Sequence, residues 1–111
     1  MSYSVLVLDM YDYMNDEANS VVDGFETQEL ATEYARRRTR AAVEEQRGKQ
    51  TDHAVIKSMW MMFGEDCITS GYIGGHEVDY FIDNPAPVDS HPELTDWMAL
   101  DPQRKQIWNL D

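Results

Sequence analysis

The sequence predicts an α+β fold: a small antiparallel sheet in β-β-α-α-β-β order, two helices on one face, and an extended C-terminal arm. Short runs with strand-like alternation flank two longer segments whose apolar residues have helical spacing. All four prolines follow residue 84, where they would interrupt regular structure. We therefore predict one domain over residues 1–84 and an arm with short helical turns over residues 85–111.

Four strands are expected, near residues 3–13, 20–25, 67–73 and 77–82. In the first, apolar side chains fill both alternating faces from Tyr3 to Met10, a pattern typical of a strand covered at least in part on both sides. Gly74-Gly75 lies between the last two runs and indicates a hairpin turn there.

Two helices lie between the strand pairs. Thr27 is a favourable N-cap and Gly48 a natural stop, so the first helix should run from about Gln28 to Arg47. The second should begin at Thr51 or Asp52 and continue to about Phe63, where Gly64 would end it.

Composition narrows the class of protein. The 111 residues carry a net charge of −12 and a single cysteine, Cys67, so no intramolecular disulfide is possible. Phosphates repel so acidic a chain, which makes direct nucleic-acid binding an unfavourable hypothesis, while a basic protein is a possible partner. We expect no membrane span, no signal peptide in the first ten residues and a cytoplasmic location.

The charges are segregated along the chain. Seven of the nine bases lie within residues 36–57, whereas residues 1–35 and 58–103 contain none. One interpretation is a solvated helix face whose bases pair with nearby acids. The alternative is a cationic spot on an acidic body, able to hold a phosphate or an acidic partner.

Arg38 and Asp9 are candidate ligand-binding residues. Arg38 lies on the apolar stripe of the first helix, so it must either pair, with Glu45 or Asp9 for example, or reach solvent along its stem. The functional hypothesis is an anion receptor that lines a pocket. Asp9 lies near the end of the first strand beside tyrosines. Its carboxylate could be a general acid or base or a metal ligand, or it could simply mark the rim where the strand leaves the sheet.

His76 is the third candidate, next to Glu77 in the predicted last strand, although alternation would point the two side chains apart. The sequence has no paired cysteines, no H-E-x-x-H and no repeated ligand spacing, so we predict no metal and no cofactor. Cys67 without a histidine partner is interpreted as a small buried residue. No residue is assigned a catalytic role, and an enzyme is the less favoured hypothesis.

Two short motifs resemble a group of small uncharacterised bacterial proteins. Phe25-Glu26-Thr27 leads into an Ala-rich helix, and Trp60-x-x-Phe63-Gly64-Glu65-Asp66 precedes a predicted strand. The resemblance covers about the middle third of the chain. It implies a bacterial cytoplasmic domain and carries over no activity and no site residues.

The leading functional hypothesis is a non-enzymatic interaction module that self-associates as a homodimer. The arm is apolar enough to pack on its own domain or on a second copy, through Trp97, Met98, Ile107 and Trp108. One alternative is a small-ligand-binding protein or enzyme with a pocket near Asp9, Arg38 and His76. Another is an acidic decoy that occupies a basic, nucleic-acid-binding protein.

Overall fold

The computed structural model describes residues 2–12, 14–15, 17–87 and 89–102. Its strands form one antiparallel sheet in the spatial order β2-β1-β3-β4. The α+β class and the small antiparallel sheet are therefore confirmed. The strands are β1 (Tyr3–Asp9), β2 (Ser20–Phe25), β3 (Glu65–Thr69) and β4 (Tyr72–Ile73).

The first helix, α1 (Gln28–Arg47), has the bounds that its capping residues predict. Thr27 Oγ1 accepts a hydrogen bond from the Leu30 N–H at 3.1 Å, which satisfies a donor that the first turn leaves free. At the other end Gly48 adopts a positive φ of 51°, a conformation that costs glycine little, and the helix stops.

The second helix, α2 (His53–Phe63), begins after Asp52, whose carboxylate accepts hydrogen bonds from the N–H groups of Ala54 and Val55. It packs beside α1 instead of lying across the sheet. It ends at Phe63 as predicted and begins one residue after the predicted start at Thr51 or Asp52, because Asp52 is its N-cap.

The fourth strand differs from the prediction. Residues 77–82, expected as a strand, belong to a 3₁₀ turn (Gly74–Glu77) and a third helix, α3 (Val78–Asp83). Val78, Phe81 and Ile82 have helical spacing and are buried together. The hairpin turn lies at Gly71, where φ is 77°, and Gly74-Gly75 follows the short β4.

The core lies between α1 and one face of the sheet. Val5 and Val7 of β1 point into it, beside Phe25, Tyr34 and Cys67. A second buried cluster joins α1, α2 and α3 through Val43, Ile56, Trp60, Phe81 and Ile82. The other face of β1 is covered only in part, since Leu6 is 37% exposed and Leu8 is half-buried.

The described part of the C-terminal arm packs on its own domain. Two 3₁₀ turns, Pro92–Leu94 and Met98–Leu100, lie in this part of the arm, where short helical turns were predicted. The Arg37 guanidinium donates a hydrogen bond to the Asp96 carbonyl at 3.1 Å, and Trp97 meets the Tyr34 ring edge-on. These contacts hold the arm against α1 at Asp96 and Trp97.

Candidate functional site

The sheet has an uncovered face crossed by a row of apolar side chains. Val21 of β2 pairs with Leu6 of β1, Leu6 with Ile68 of β3, and Ile68 with Ile73 of β4, so one residue from each strand stands in line. Val21 is 53% exposed, Ile73 38% and Leu6 37%. We call this surface, with its row of Val21, Leu6, Ile68 and Ile73, the open sheet face.

Acidic residues lie at the margins of the open sheet face. Asp23 pairs with Ser4 on one side of the row, and Asp66 pairs with Leu8 on the other. Burial raises the pKa of the Asp66 carboxyl, against the opposing effect of a hydrogen bond from the Gly75 N–H. The four strands contain no lysine or arginine, so the face combines an apolar centre with acidic margins.

A shallow groove of about 290 Å³ opens at the β4 end of this face. Ile68 and Ile73 contribute to both the row and the groove, and His76 stands at its rim. The groove is therefore an extension of the open sheet face. It is lined by Ile68, Thr69, Gly71, Tyr72, Ile73 and His76.

Arg38 is paired, as its place on the apolar stripe predicts, but with a partner that the sequence did not suggest. Its Nε and Nη2 donate to the two carboxylate oxygens of Glu65, on β3, at 3.1 and 3.2 Å. Its Nη1 donates to the Tyr34 hydroxyl at 2.6 Å. The guanidinium also lies over the Trp97 ring, 4.2 Å from the centroid.

These contacts fix the charge of Arg38. Burial opposes the cation, but the hydrogen bonds and the charge of Glu65 more than offset it, so the pKa of Arg38 lies above its ordinary value. For Tyr34, burial raises the pKa of the hydroxyl to about 12, and the neighbouring charge and hydrogen bond of Arg38 act in the opposite direction. With its donors engaged on Glu65 and Tyr34, Arg38 stabilises the packing of α1 against β3.

Asp9 ends β1 in a local turn. Its Oδ1 accepts a hydrogen bond from the Tyr11 N–H at 3.0 Å, and its own N–H donates to Asn19 Oδ1 at 3.0 Å. It pairs across the ladder with Glu65, the partner of Arg38. Its carboxylate thus helps the chain to leave the sheet.

The structure does not bring the three predicted ligand residues into one site. Asp9 lies on β1 and His76 follows β4, with β3 between those strands. No hydrogen bond or ion pair among described residues joins Asp9, Arg38 and His76, and neither described cavity contains Asp9 or Arg38. His76 is not in a strand, so the alternation argument that turned it away from Glu77 is also wrong.

Cys67 is fully buried under α1. Burial raises the pKa of its thiol to about 12, and the Cys67 N–H donates to Thr39 Oγ1 at 3.3 Å. A thiol with so high a pKa is a poor nucleophile near neutral pH. Among the described residues no group of three or more histidine, cysteine or acidic side chains could hold a metal ion.

The band of bases over residues 36–57 is largely paired within the chain. Arg36 bonds Glu33 and Glu77, Arg37 bonds Glu33, and Arg47 bonds Glu44, all at 3.1 Å or less. The remaining pairs join Arg38 to Glu65, Arg40 to the Asn84 carbonyl and Lys57 to Asp79. The arrangement favours the interpretation of surface and half-buried ion pairs over a free cationic spot.

Sequence reasoning missed a charged cluster that joins α2 to α3. The His53 ring lies between two carboxylates, with Nδ1 2.7 Å from Asp83 Oδ1 and Nε2 2.9 Å from Asp79 Oδ1. Lys57 Nζ also bonds Asp79. The hydrogen bonds to Asp79 and then Asp83 raise the pKa of His53. The helical spacing of residues 78–82 was the signal that could have placed these groups together.

The predicted interface residues divide into two groups. Trp97 packs on Tyr34 and Arg38 of its own chain, whereas Met98 is 46% exposed. Ile107 and Trp108 lie outside the described residues, so their assignment to an interface stays a prediction. The open sheet face was also missed, because apolar residues on both faces of β1 were interpreted as at least partial burial on both sides.

None of the described helices is both long and apolar enough to cross a membrane. Comparisons of the chain with protein-family models, with curated proteins and with solved structures found no match. The resemblance to small bacterial proteins therefore stays a prediction.

Proposed function

We propose that this chain is a non-enzymatic interaction module that self-associates, with the open sheet face as its contact surface. The observation that carries the proposal is the apolar row, which crosses all four strands on the face that α1 does not cover. A contiguous apolar surface of this kind is typical of an interaction site. A second copy offers the same row, and a twofold axis brings row against row.

The pocket hypothesis receives less support from the contacts. A ligand held by Asp9, Arg38 and His76 would need their side chains to converge, and β3 separates Asp9 from His76. An anion at Arg38 would have to displace Glu65, which already bonds the guanidinium through two oxygens. These contacts favour a structural role for Arg38.

A homodimer is tested by the mass of the chain in solution. Light scattering at tens of micromolar should give twice the 12.9 kDa of one chain. Exchanging Leu6 and Ile68 for threonine (Leu6→Thr with Ile68→Thr) keeps strand-forming residues and removes apolar contacts from the row. Since each exchange acts twice in a symmetric dimer, we expect the dissociation constant to rise at least about a hundredfold.

Met61→Gln is the matched control, because Met61 is 53% exposed on α2 and does not belong to the sheet. It should leave the dissociation constant unchanged. A monomeric mass for the native chain would overturn the proposal. A dimer whose dissociation constant is unaffected by the threonine exchanges would mean that the contact surface is not the open sheet face.

A second candidate function is the binding of a basic protein. The observation that favours it is the net charge of −12 together with bases that are already paired inside the chain, which leaves many carboxylates without cations. A lysine-rich peptide would then bind at low salt and lose affinity steeply as salt is added. Absence of binding at low salt would eliminate this candidate.

A further inference from the structure

We infer that a stripe of apolar side chains along α2 is a docking site for an amphipathic helix of a basic partner protein. The stripe consists of Val55, Met59, Met62 and Phe63, and we call it the α2 stripe. The inference goes beyond self-association and rests on the second candidate function, for which it names the contact surface. It uses no residue of the open sheet face.

The α2 stripe has the spacing of one helix face, but it is not the face that packs on the core. Its four members stand at positions i, i+4, i+7 and i+8 of the helix. The core contact of α2 is made instead by Ile56 and Trp60, which are buried. Val55 is 39% exposed, Met62 52% and Phe63 51%. The helix therefore has a second apolar face that the described part of the chain covers only in part.

Tyr11 extends the α2 stripe beyond the end of the helix. Its ring stacks on the ring of Phe63, with 5.9 Å between the centroids and 16° between the planes. The Met10 N–H donates to the Gly64 carbonyl at 3.0 Å and so holds this loop against the end of α2. Tyr11 is 74% exposed, so its ring offers free surface to an apolar side chain or to a lysine or arginine of a partner.

The charges around the α2 stripe are acidic. Asp52 caps α2 at one end of the stripe, and Asp12 lies in the loop at the other end. The last turn of α2 contains no basic residue, although the C-terminal end of a helix attracts cations. The two basic side chains of α2, His53 and Lys57, are both bonded to Asp79 of α3. A partner with lysine or arginine beside its apolar residues therefore complements this surface in charge.

The same charges disfavour a second copy as the occupant. A second α2 stripe would bring its own Asp12 and Asp52 to the contact and would supply no cation for those of the first. An anionic membrane would repel a chain of net charge −12. The helical spacing of the stripe suits a partner helix, which can lay its own i, i+4 and i+7 row along it. The occupant is therefore an amphipathic helix with lysine or arginine beside its apolar row.

Fluorescence anisotropy with a synthetic peptide tests the docking site. The probe is a labelled peptide of about eighteen leucine and lysine residues, roughly five helical turns, with the leucines on one face. The control peptide has the same composition in an order that spreads the leucines around the helix. Because only the probe presents an apolar row, the native chain should bind it at least about tenfold more tightly than the control peptide. Equal affinities would overturn the inference, since charge alone would then explain the binding.

Two neighbouring methionines locate the site. Met62→Gln removes apolar surface from the α2 stripe and should raise the dissociation constant of the probe at least about fivefold. Met61→Gln is the matched control: Met61 is 53% exposed against 52% for Met62, but its side chain points about 100° away around the helix. It should leave the dissociation constant unchanged. Equal constants for the two variants would overturn the inference. Val55→Gln is a second stripe variant, should Met62→Gln lose its native circular dichroism spectrum.

The acidic ends of the α2 stripe are tested by removing their charge. Asp12→Asn with Asp52→Asn removes two carboxylates, and asparagine at position 52 still caps the helix. At low salt this variant should bind the probe at least about threefold less tightly than the native chain, and the difference should shrink as salt is added. A variant that binds like the native chain at low salt would contradict the charge complementarity on which the inference depends.

The remaining outcomes separate this inference from the functions proposed above. A native chain that binds neither peptide at low salt ends both the inference and the second candidate function. Probe binding that weakens in Leu6→Thr with Ile68→Thr but not in Met62→Gln would place the peptide on the open sheet face and overturn the inference alone. A homodimer weakened by Met62→Gln would make a second copy the occupant. Binding to phosphatidylcholine vesicles that Met62→Gln abolishes would make a lipid surface the occupant, and either result would overturn the inference.

Discussion

The Arg38 guanidinium lies over the Trp97 ring with 4.2 Å between Cζ and the ring centroid, while its Nε and Nη2 donate hydrogen bonds to the two carboxylate oxygens of Glu65. One side chain of α1 therefore joins the sheet to the C-terminal arm. The side chain of Arg38 is only 17% exposed, so its stem and its charge both contribute to this junction.

Removing the Arg38 stem should destabilise the protein more than removing its charge. We expect Arg38→Ala to lower the free energy of unfolding by about 2–3 kcal/mol and Arg38→Met by about 1 kcal/mol less, because methionine keeps the contact with Trp97. Urea unfolding followed by tryptophan fluorescence measures both values. Arg36 is the control: its side chain is 40% exposed, so its alanine and methionine variants should differ by under about 0.5 kcal/mol. Equal values for the two Arg38 variants would contradict a packing role.

Local signals in the sequence predicted the helices α1 and α2 well. Thr27, Gly48 and Asp52 act within four residues of themselves, so caps and stops can be recognised from neighbouring residues. The pair of Arg38 and Glu65 joins residues 27 positions apart. The place of Arg38 on the apolar stripe predicted that it would be paired. Which acid pairs with it depends on how α1 lies on the sheet, and the sequence does not reveal this.

The stability of the α2–α3 junction should depend on pH through His53. The hydrogen bonds to Asp79 and Asp83 raise its pKa above the ordinary value of 6.5. The contribution of His53 to the free energy of unfolding is therefore full below about pH 6.5, and it is lost as the pH rises through the higher folded-state pKa. Hydrogen bonds from His53 and then Lys57 lower the pKa of Asp79, so at the acid end the contribution is lost only as the pH falls below the ordinary value of 3.8.

His53→Gln isolates this contribution, since glutamine does not titrate. The difference in melting temperature between the native chain and His53→Gln should be largest between about pH 4 and pH 6.5 and should shrink towards pH 8. Thermal melts across that range measure it. A difference that stays constant with pH would mean that His53 gains nothing from its two carboxylates.

Gly74 should tolerate no side chain. A Cβ at this position would collide with Thr39 of α1, which is itself fully buried. Gly74→Ala should therefore lower the free energy of unfolding by more than about 2 kcal/mol. Gly75→Ala is the matched control: its Cβ would lie 3.1 Å from Asp66 Oδ2, a carboxylate that can move, so the loss should stay under about 1 kcal/mol. Similar losses for both variants would contradict the close packing of α1 on this turn.

The candidate surface was harder to predict than the helices. The alternation in β1 correctly separated Val5 and Val7 from Leu6 and Leu8, but it could not say which set a helix would cover. The prediction of a strand over residues 77–82 also hid α3, so the sequence did not show which face of the sheet the helices would leave uncovered. Only the register across all four strands places Leu6 in line with Ile68 and Val21.

The reactivity of a thiol placed on the open sheet face tests the central claim most directly. Cys67 is the single native cysteine, and its burial and raised pKa should keep it unreactive in the folded protein. Val21→Cys then provides one accessible thiol in the row, and Met61→Cys provides one on the outer side of α2. We predict that alkylation at Val21→Cys slows at least about tenfold when the protein concentration rises from nanomolar to about 100 µM, because a second copy covers the face. The rate at Met61→Cys should stay constant. Equal rates at Val21→Cys across that range would contradict self-association through this face.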